Sequence, residues 1–543
     1  MAYERDVYAV AQEQPYAIEL KGIVKRFGSI LANNNVNFTL RHGEILALLG
    51  ENGSGKTTLM NMISGIYRPD AGEIYINGRL TQIHSPRDAY EQGVGMIHQH
   101  FKLVDVMSAK ENIVLGTHKH VRSSELTREI RALSEKFGLD INPDKPVHSM
   151  SVGEKQTVEI LKVLYRGCNI LILDEPTAVL TPQETRGLFD ILRRMKQQGC
   201  AIIIITHKLN EVMAISDRVT ILRKGESVGS VVTAETNVKQ LTELMVGRSV
   251  KLEIERTPRG KAERLLEVSN LCVKDEDGLP ALTDVSFELD TGEILGVAGI
   301  AGSGQKELCE AIAGLQVISF GKVQLEGQNL EGLNPREIMR RGVAMSFVPE
   351  DRLGMGLVGS MSVSDNVLLK SYQKNHGMFV DRAAARKLSK VVVDELEIAT
   401  PSVMHPVGQL SGGNVQKVLV GREIHLNPKV LLVAYPVRGL DINSSYKIFD
   451  LLNKQKAKGV GVLFVGEDLD VLIELCDRIM VMCAGRVTGI LDVRAEMHEQ
   501  GNALSVSHED SEEDSGEMRL RQQLKEKLGA LMTGFVEEGG ANE

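Results

Sequence analysis

Short runs of wholly apolar residues punctuate the chain, each ending in glycine, aspartate-glutamate or histidine. EILALLG (44–50), NILILDE (169–175) and AIIIITH (201–207) are the clearest. A run without polar alternation fits a strand buried on both faces of a sheet. Between such runs, stretches like PQETRGLFDILRRMKQQG (182–199) space their apolar residues helically, with charges on the opposite side. That pattern predicts amphipathic helices. Strands and helices alternate, so the predicted fold class is α/β with a mainly parallel central sheet.

The pattern is then written a second time. VNFTLRHGEILALLGENGSGKTTL (36–59) returns as VSFELDTGEILGVAGIAGSGQKEL (285–308), 249 residues on. SVGEKQTVEILKV (151–163) returns as SGGNVQKVLVGRE (411–423), 260 residues on, and SDRVTILRKG, ending at 225, is echoed by CDRIMVMCAG, ending at 485. A repeat this long predicts two copies of one domain. The boundaries read as an N-terminal extension (1–16), a first domain (17–252), a charged linker (253–263) and a second domain (264–543). Within the second, HEQGNALSVSHEDSEEDSGE (498–517) is polar and acidic and reads as a flexible insertion. The following MRLRQQLKEKLGALMTGF predicts a helix whose LGALMTG parallels LTELMVG at the end of the first copy.

Composition narrows the classes of function. The chain has 543 residues, 43% of them hydrophobic, enough for several cores. Its formal charge is −9 with no block of Lys and Arg, a balance that argues against nucleic acid as a partner. Six scattered cysteines without a CxxC predict reduced thiols rather than disulfides or a zinc site. The start, MAYERDVYAVAQEQ, lacks a basic segment followed by an apolar one and predicts no secretory signal. No run approaches the ~18 apolar residues of a bilayer span. Any membrane role is expected to run through a partner.

The chemistry begins at GENGSGKT (50–57), which matches G-x-x-x-x-G-K-[ST] between a predicted strand and a predicted helix. Gly50, Glu51, Asn52, Gly53, Ser54 and Gly55 would wrap backbone N–H groups around phosphate oxygens, helped by the helix N-terminus at Lys56, Thr57 and Thr58. Lys56 would neutralise the β- and γ-phosphates, and Thr57 would offer a hydroxyl to Mg²⁺. The strand ILIL ends in Asp174-Glu175. Phosphoryl transfer to water needs one carboxylate near a metal and another near the attacking water, and adjacent residues at a strand end provide both. His207 ends a further strand, placed to bond the γ-phosphate or orient water. Gln99 is a candidate water or metal contact, and Phe27 has two readings, a ring stacked on adenine or a core aromatic beside a turn.

Together these residues resemble an ATP-binding-cassette ATPase with two cassettes fused in one chain. LSGGN (410–414) is close to that family's signature, and MSVGE (150–154) is its counterpart in the first copy. The resemblance implies two tandem P-loop domains, each with a helical subdomain, facing head to tail. ATP and Mg²⁺ would then lie between one P-loop and the opposite signature, so that Ser411, Gly412 and Gly413 complete the site of Lys56, Asp174, Glu175, Gln99 and His207. The second copy departs from the pattern. Gln305 and Lys306 stand at the lysine and threonine positions, Ala434 and Tyr435 replace Asp174 and Glu175, and Glu467 replaces His207; Glu350 and Glu276 take the places of Gln99 and Phe27. One catalytic site per chain is expected.

The resemblance further implies an importer ATPase. GMIHQHFKLVDVMSAKENIVLG (95–116) and FVPEDRLGMGLV (347–358) are similar to the nucleoside branch of the simple-sugar and nucleoside class. Expected partners are two membrane permease subunits, docked behind Gln99 and Glu350, and through them an extracytoplasmic substrate-binding protein. The expected place is the cytoplasmic face of the membrane, and nucleic acid is not an expected partner. The alternative is a soluble cassette ATPase acting on ribosomes or nucleic acid; a regulatory scaffold with vestigial hydrolysis fits poorly with an intact first site.

Overall fold

The computed structural model describes residues 16–534 apart from 29, 99–100, 118–121, 179, 248–253, 255, 259–262, 276, 301, 348–355, 373–379, 439 and 498–512. Gln99, Glu276, Glu350 and most of the expected extension, linker and acidic insertion lie outside the described residues. Contacts divide the chain into two compact units, Met1–Leu180 with Glu184–Val250, and Thr181–Gln183 with Lys251–Glu543.

In the first unit the strands are β1 (Ile18–Phe27), β2 (Ile30–Leu40), β3 (Ile45–Leu49), β4 (Ala71–Ile76), β5 (Arg79–Leu80), β6 (Val94–Ile97), β7 (Ile170–Asp174), β8 (Ala201–Ile205), β9 (Arg218–Arg223) and β10 (Glu226–Val232). The central sheet runs β10-β9-β3-β8-β7-β6, parallel apart from the antiparallel edge strand β10. The apolar runs form its middle, as their lack of alternation predicted. Alternate residues still part to opposite faces. Leu46, Leu48, Ile170, Ile172, Ile203 and Ile205 enter one core, while Ile45, Leu171, Leu173, Ile202 and Ile204 enter the other.

The first of these cores is closed by a second, four-stranded antiparallel sheet, β2-β1-β4-β5, and by α1 (Lys56–Ile63). That sheet had no counterpart among the sequence expectations. α2 (Pro86–Glu91) flanks β6 and buries Ala89 in that same core; the other face is covered by α3 (Ala109–Val114), α4 (Ser123–Phe137) and α5 (Val152–Tyr165), which form the helical part, and by α6 (Pro182–Gln197) and α7 (Leu209–Ile215), while α8 (Val238–Val246) packs on β9 and α7.

The second unit repeats this topology. Its strands are β11 (Arg264–Lys274), β12 (Pro280–Asp290), β13 (Ile294–Gly299), β14 (Ile318–Leu325), β15 (Gln328–Asn329), β16 (Val343–Phe347), β17 (Val430–Ala434), β18 (Gly461–Val465), β19 (Arg478–Cys483) and β20 (Arg486–Asp492). They form sheets β16-β17-β18-β13-β19-β20 and β12-β11-β14-β15, strand for strand the order of the first unit. The predicted terminal helix spans Glu513–Met532, so it begins inside the stretch read as a flexible insertion. It ends before Gly534 at φ 79° as α8 ends at Gly247 at φ 80°, both left-handed positions that suit glycine. All six cysteines are free thiols. Among the described residues no helix is long and apolar enough to cross a membrane.

Candidate active site

The phosphate loop, Asp174, Glu175 and His207 lie at the carboxyl ends of three adjacent strands, β3, β7 and β8, where ligands of open α/β sheets bind. The phosphate loop leaves β3 and turns directly into α1, with Gly55 as its N-cap at φ 95°. A side chain at Gly50 would strike the Leu222 carbonyl oxygen and the Ser54 hydroxyl, and one at Gly55 the Ala32 carbonyl oxygen, so both positions exclude a Cβ. Lys56 Nζ donates to the carbonyl oxygens of Gly50 (2.7 Å) and Glu51 (3.0 Å), folding its charge back into the loop.

Asp174 ends β7, paired in register with Ile205, and Glu175 follows in the left-handed region at φ 47°. That conformation is costly for a non-glycine residue. It is held by the bond from Glu175 N–H to the Ile205 carbonyl (2.9 Å). Glu175 Oε1 lies 3.1 Å from Nδ1 of the exposed His207.

The neighbouring carboxyls are driven apart electrostatically. Burial, with the charge of Glu175 beside it, pushes Asp174 up to about 6. The His207 bond holds Glu175 below its ordinary range, against its own desolvation. Two carboxyls with opposed shifts suit two roles, one ionised and ready to accept a proton, the other waiting for a cation. Burial also lowers Lys56. The loop therefore holds a desolvated cation near a carboxyl that resists its charge, and the buried Ser54 hydroxyl has no hydrogen-bond partner among the described residues. A polyanion at Lys56 and Ser54 together with a divalent cation at Thr57 and Asp174 would satisfy all of these groups. Among the described residues no cluster of three His, Cys, Asp or Glu side chains stands ready to hold a metal alone.

Phe27 closes β1 and is 41% exposed, so it is not a core aromatic. Its ring meets Tyr67 edge to face, centroids 5.2 Å apart. Tyr67 was not singled out in the sequence, where nothing marks it. Also missed were the residues that brace the turn after Glu175. Gln156 Nε2, from α5, donates to the Pro176 carbonyl (2.9 Å), Thr177 Oγ1 to Glu211 (2.5 Å), and Lys208 Nζ to the Thr177 carbonyl (3.1 Å).

The equivalent place in the second unit keeps the backbone and differs in its side chains. Gly304 caps the helix Gln305–Ile312 at φ 97°, and Tyr435 repeats the left-handed turn at φ 52°. The strained turn is thus a property of the fold, and only the side chain at its tip differs. Gln305 Nε2 donates to the Ile300 carbonyl (3.2 Å), filling the lysine's place inside the loop with a neutral amide. Lys306 Nζ lies 3.8 Å from Glu310, and Glu467 faces Arg438 at the same distance. Burial pushes the Tyr435 phenol up to about 12.

The two signature segments differ as well. Ser151 and Glu154 form a capping box on α5: the Ser151 hydroxyl accepts from Glu154 N–H (3.2 Å), and the Glu154 carboxylate accepts from Ser151 N–H (2.7 Å) while pairing with Lys145. Ser411 precedes the helix Gly412–Ile424 and makes no side-chain capping bond to it. Its hydroxyl accepts instead from Asn414 Nδ2 (2.8 Å).

Comparison with known proteins agrees with this geometry. The sequence model of the ABC transporter family matches residues 33–178 and 282–436, once in each unit. The nucleoside import ATP-binding protein of Lactococcus lactis is 40% identical over 90% of this chain and 98% of its own length. The glucose import ATP-binding protein of Haloferax volcanii is 39% identical, covering 87% and 92%, and the guanosine import ATP-binding protein of Bacillus subtilis 40%, covering 87% and 94%. With the phosphate loop, the opposed carboxyls and the repeated topology, these matches place the chain in the ABC transporter family, as an ATPase that carries two cassettes in one polypeptide.

Proposed function

We propose that this ATPase powers import of nucleosides or simple sugars, docked on two permease subunits at the cytoplasmic face of the membrane and supplied through them by an extracytoplasmic binding protein. The names of its relatives support import, and they divide between nucleosides and sugars. Each unit also offers exposed apolar side chains in the segment after the expected Gln99 or Glu350 position: Val104 and Val106 in the first, Val358 and Met361 in the second. In the first unit Glu159 and Lys162 of α5 grip that segment by the N–H (2.6 Å) and C=O (2.8 Å) of Lys102. Force applied at the segment would reach the helix that starts at the signature.

Hydrolysis belongs to one composite site, the phosphate loop of the first unit with Ser411, Gly412 and Gly413 of the second. The observation that carries this reading is the confinement of Lys56, Thr57, Asp174, Glu175 and His207 to one unit. The caps favour the same pairing. A carboxylate at the N-terminus of α5 occupies an N–H and repels phosphate, whereas the helix after Ser411 opens on two glycines and a neutral asparagine. Mg²⁺, when bound, would neutralise charge developing on the phosphate oxygens, with Thr57 and Asp174 as its ligands from this chain and Gln99 as a third candidate. Lys56 and the loop N–H groups hold the phosphates. Glu175 takes a proton from the attacking water, and His207 fixes the Glu175 carboxylate through its Nδ1.

Two measurements check the reading. Purified with its membrane partners and reconstituted in vesicles with a binding protein, the chain is expected to drive ATP-dependent uptake of a nucleoside or sugar. An ATPase stimulated by ribosomes or DNA, with no permease bound, would contradict import. In the same preparation Ser411→Arg is expected to lower ATP turnover about 100-fold, as loss of a phosphate donor does, and Ser151→Arg by less than about threefold. Equal losses would sink the asymmetric site.

A further inference from the structure

We propose that Thr177, Lys208 and Glu211 are a positioning set for hydrolysis, tying the turn that carries Glu175 to the segment that carries His207. The inference rests on the first unit being the hydrolytic one. Thr177 lies two residues after Glu175 and is buried. Its hydroxyl donates to Glu211 Oε2 (2.5 Å), and its carbonyl accepts from Lys208 Nζ (3.1 Å), which also pairs with Glu211 Oε1 (3.2 Å). Lys208 directly follows His207, and Glu211 sits in the first turn of α7. With the 3.1 Å contact between His207 and Glu175, these bonds close a ring through Glu175, Pro176, Thr177, Glu211, Lys208 and His207. Each of these non-covalent links involves a charged group, and charge-assisted hydrogen bonds are the stronger class.

The second unit is an internal control. It keeps the same strand order, the left-handed turn at Tyr435 and the bond from Gln416 to the Pro436 carbonyl, counterpart of the Gln156 bond to Pro176. At the three positions of the set it carries Val437, Asp468 and Val471. Both valines pack against the apolar core of that unit, and Asp468 caps the helix Leu469–Leu475 through Asp470 N–H (2.9 Å). The fold therefore forms without the polar set. The set stands only in the unit that also carries the carboxylate and imidazole it joins.

A structural brace and a positioning set make different demands on kinetics. In the full-length ATPase, Thr177→Val keeps shape and volume and removes one donor. It is expected to lower kcat about 10- to 100-fold, with the KM for ATP and the melting temperature nearly unchanged. Thr177→Ser, which returns the hydroxyl, is expected to recover most of the loss. Glu211→Gln also weakens the pair with Lys208, and its loss combined with that of Thr177→Val is expected to fall short of the sum of the two single losses, because the residues act as one set. Lys208→Met, at a partly exposed side chain, is expected to act like Thr177→Val and serves if that variant does not fold. A kcat within about twofold of the parent, a loss carried by KM, or no rescue by serine would overturn the inference. Glu175→Gln, run alongside, separates the failures. If it abolishes turnover while Thr177→Val does not, only the positioning set falls; if turnover survives it, the reading of the first unit falls first.

Discussion

Replacing Glu175 by glutamine is expected to cut ATP turnover about 1000-fold while leaving nucleotide bound. An amide keeps the shape of the carboxylate and cannot take a proton from water. Everything else that holds nucleotide, the loop N–H groups, Lys56 and Thr57, is untouched by the change. The His207 bond holds the native carboxyl below its ordinary range, against its own desolvation. Phosphate release measured beside equilibrium binding of labelled ATP checks both halves. Turnover that persists in Glu175→Gln would remove this side chain from the mechanism.

How much of this was readable in the chain depends on how local each feature is. The phosphate loop, Asp174-Glu175 and the strands that bear them were legible because each is one contiguous stretch with a required backbone. The duplication was legible for the same reason, and the repeated strand order follows it. The antiparallel sheet was not. β1 carries several register irregularities against β2, and β2 is interrupted by the polar run Asn33-Asn34-Asn35, so neither alternates cleanly along its whole length. Thr177, Lys208 and Glu211 were invisible for another reason. They become neighbours only when β7 and β8 pair side by side, and no spacing rule announces that. The unlike signature helices were half visible: Glu154 against Asn414 is written in the sequence, but the carboxylate's seat on its own helix is a matter of rotamer. Phe27 was left between two readings, and its exposure settles against the core.

The second large effect concerns Lys56. Its ammonium folds into the first phosphate loop, whereas in the second Gln305 takes the equivalent place with an uncharged donor. At ~4 Å and an effective dielectric of ~20, one cation on a phosphate oxygen contributes about 4 kcal/mol before desolvation. Desolvation of the lysine reduces that figure, in keeping with its lowered pKa. A loss of about 100- to 1000-fold in kcat/KM is the expectation for Lys56→Ala. Gln305 contributes no such charge, so its removal should touch hydrolysis only weakly.

The steady-state kcat/KM of Lys56→Ala, compared with that of Gln305→Ala in the same preparation, tests most directly whether only one cassette splits ATP. The account predicts a fall of at least about 100-fold for the first and under about threefold for the second. Undiminished hydrolysis by Lys56→Ala, or equal losses in the two, would contradict it.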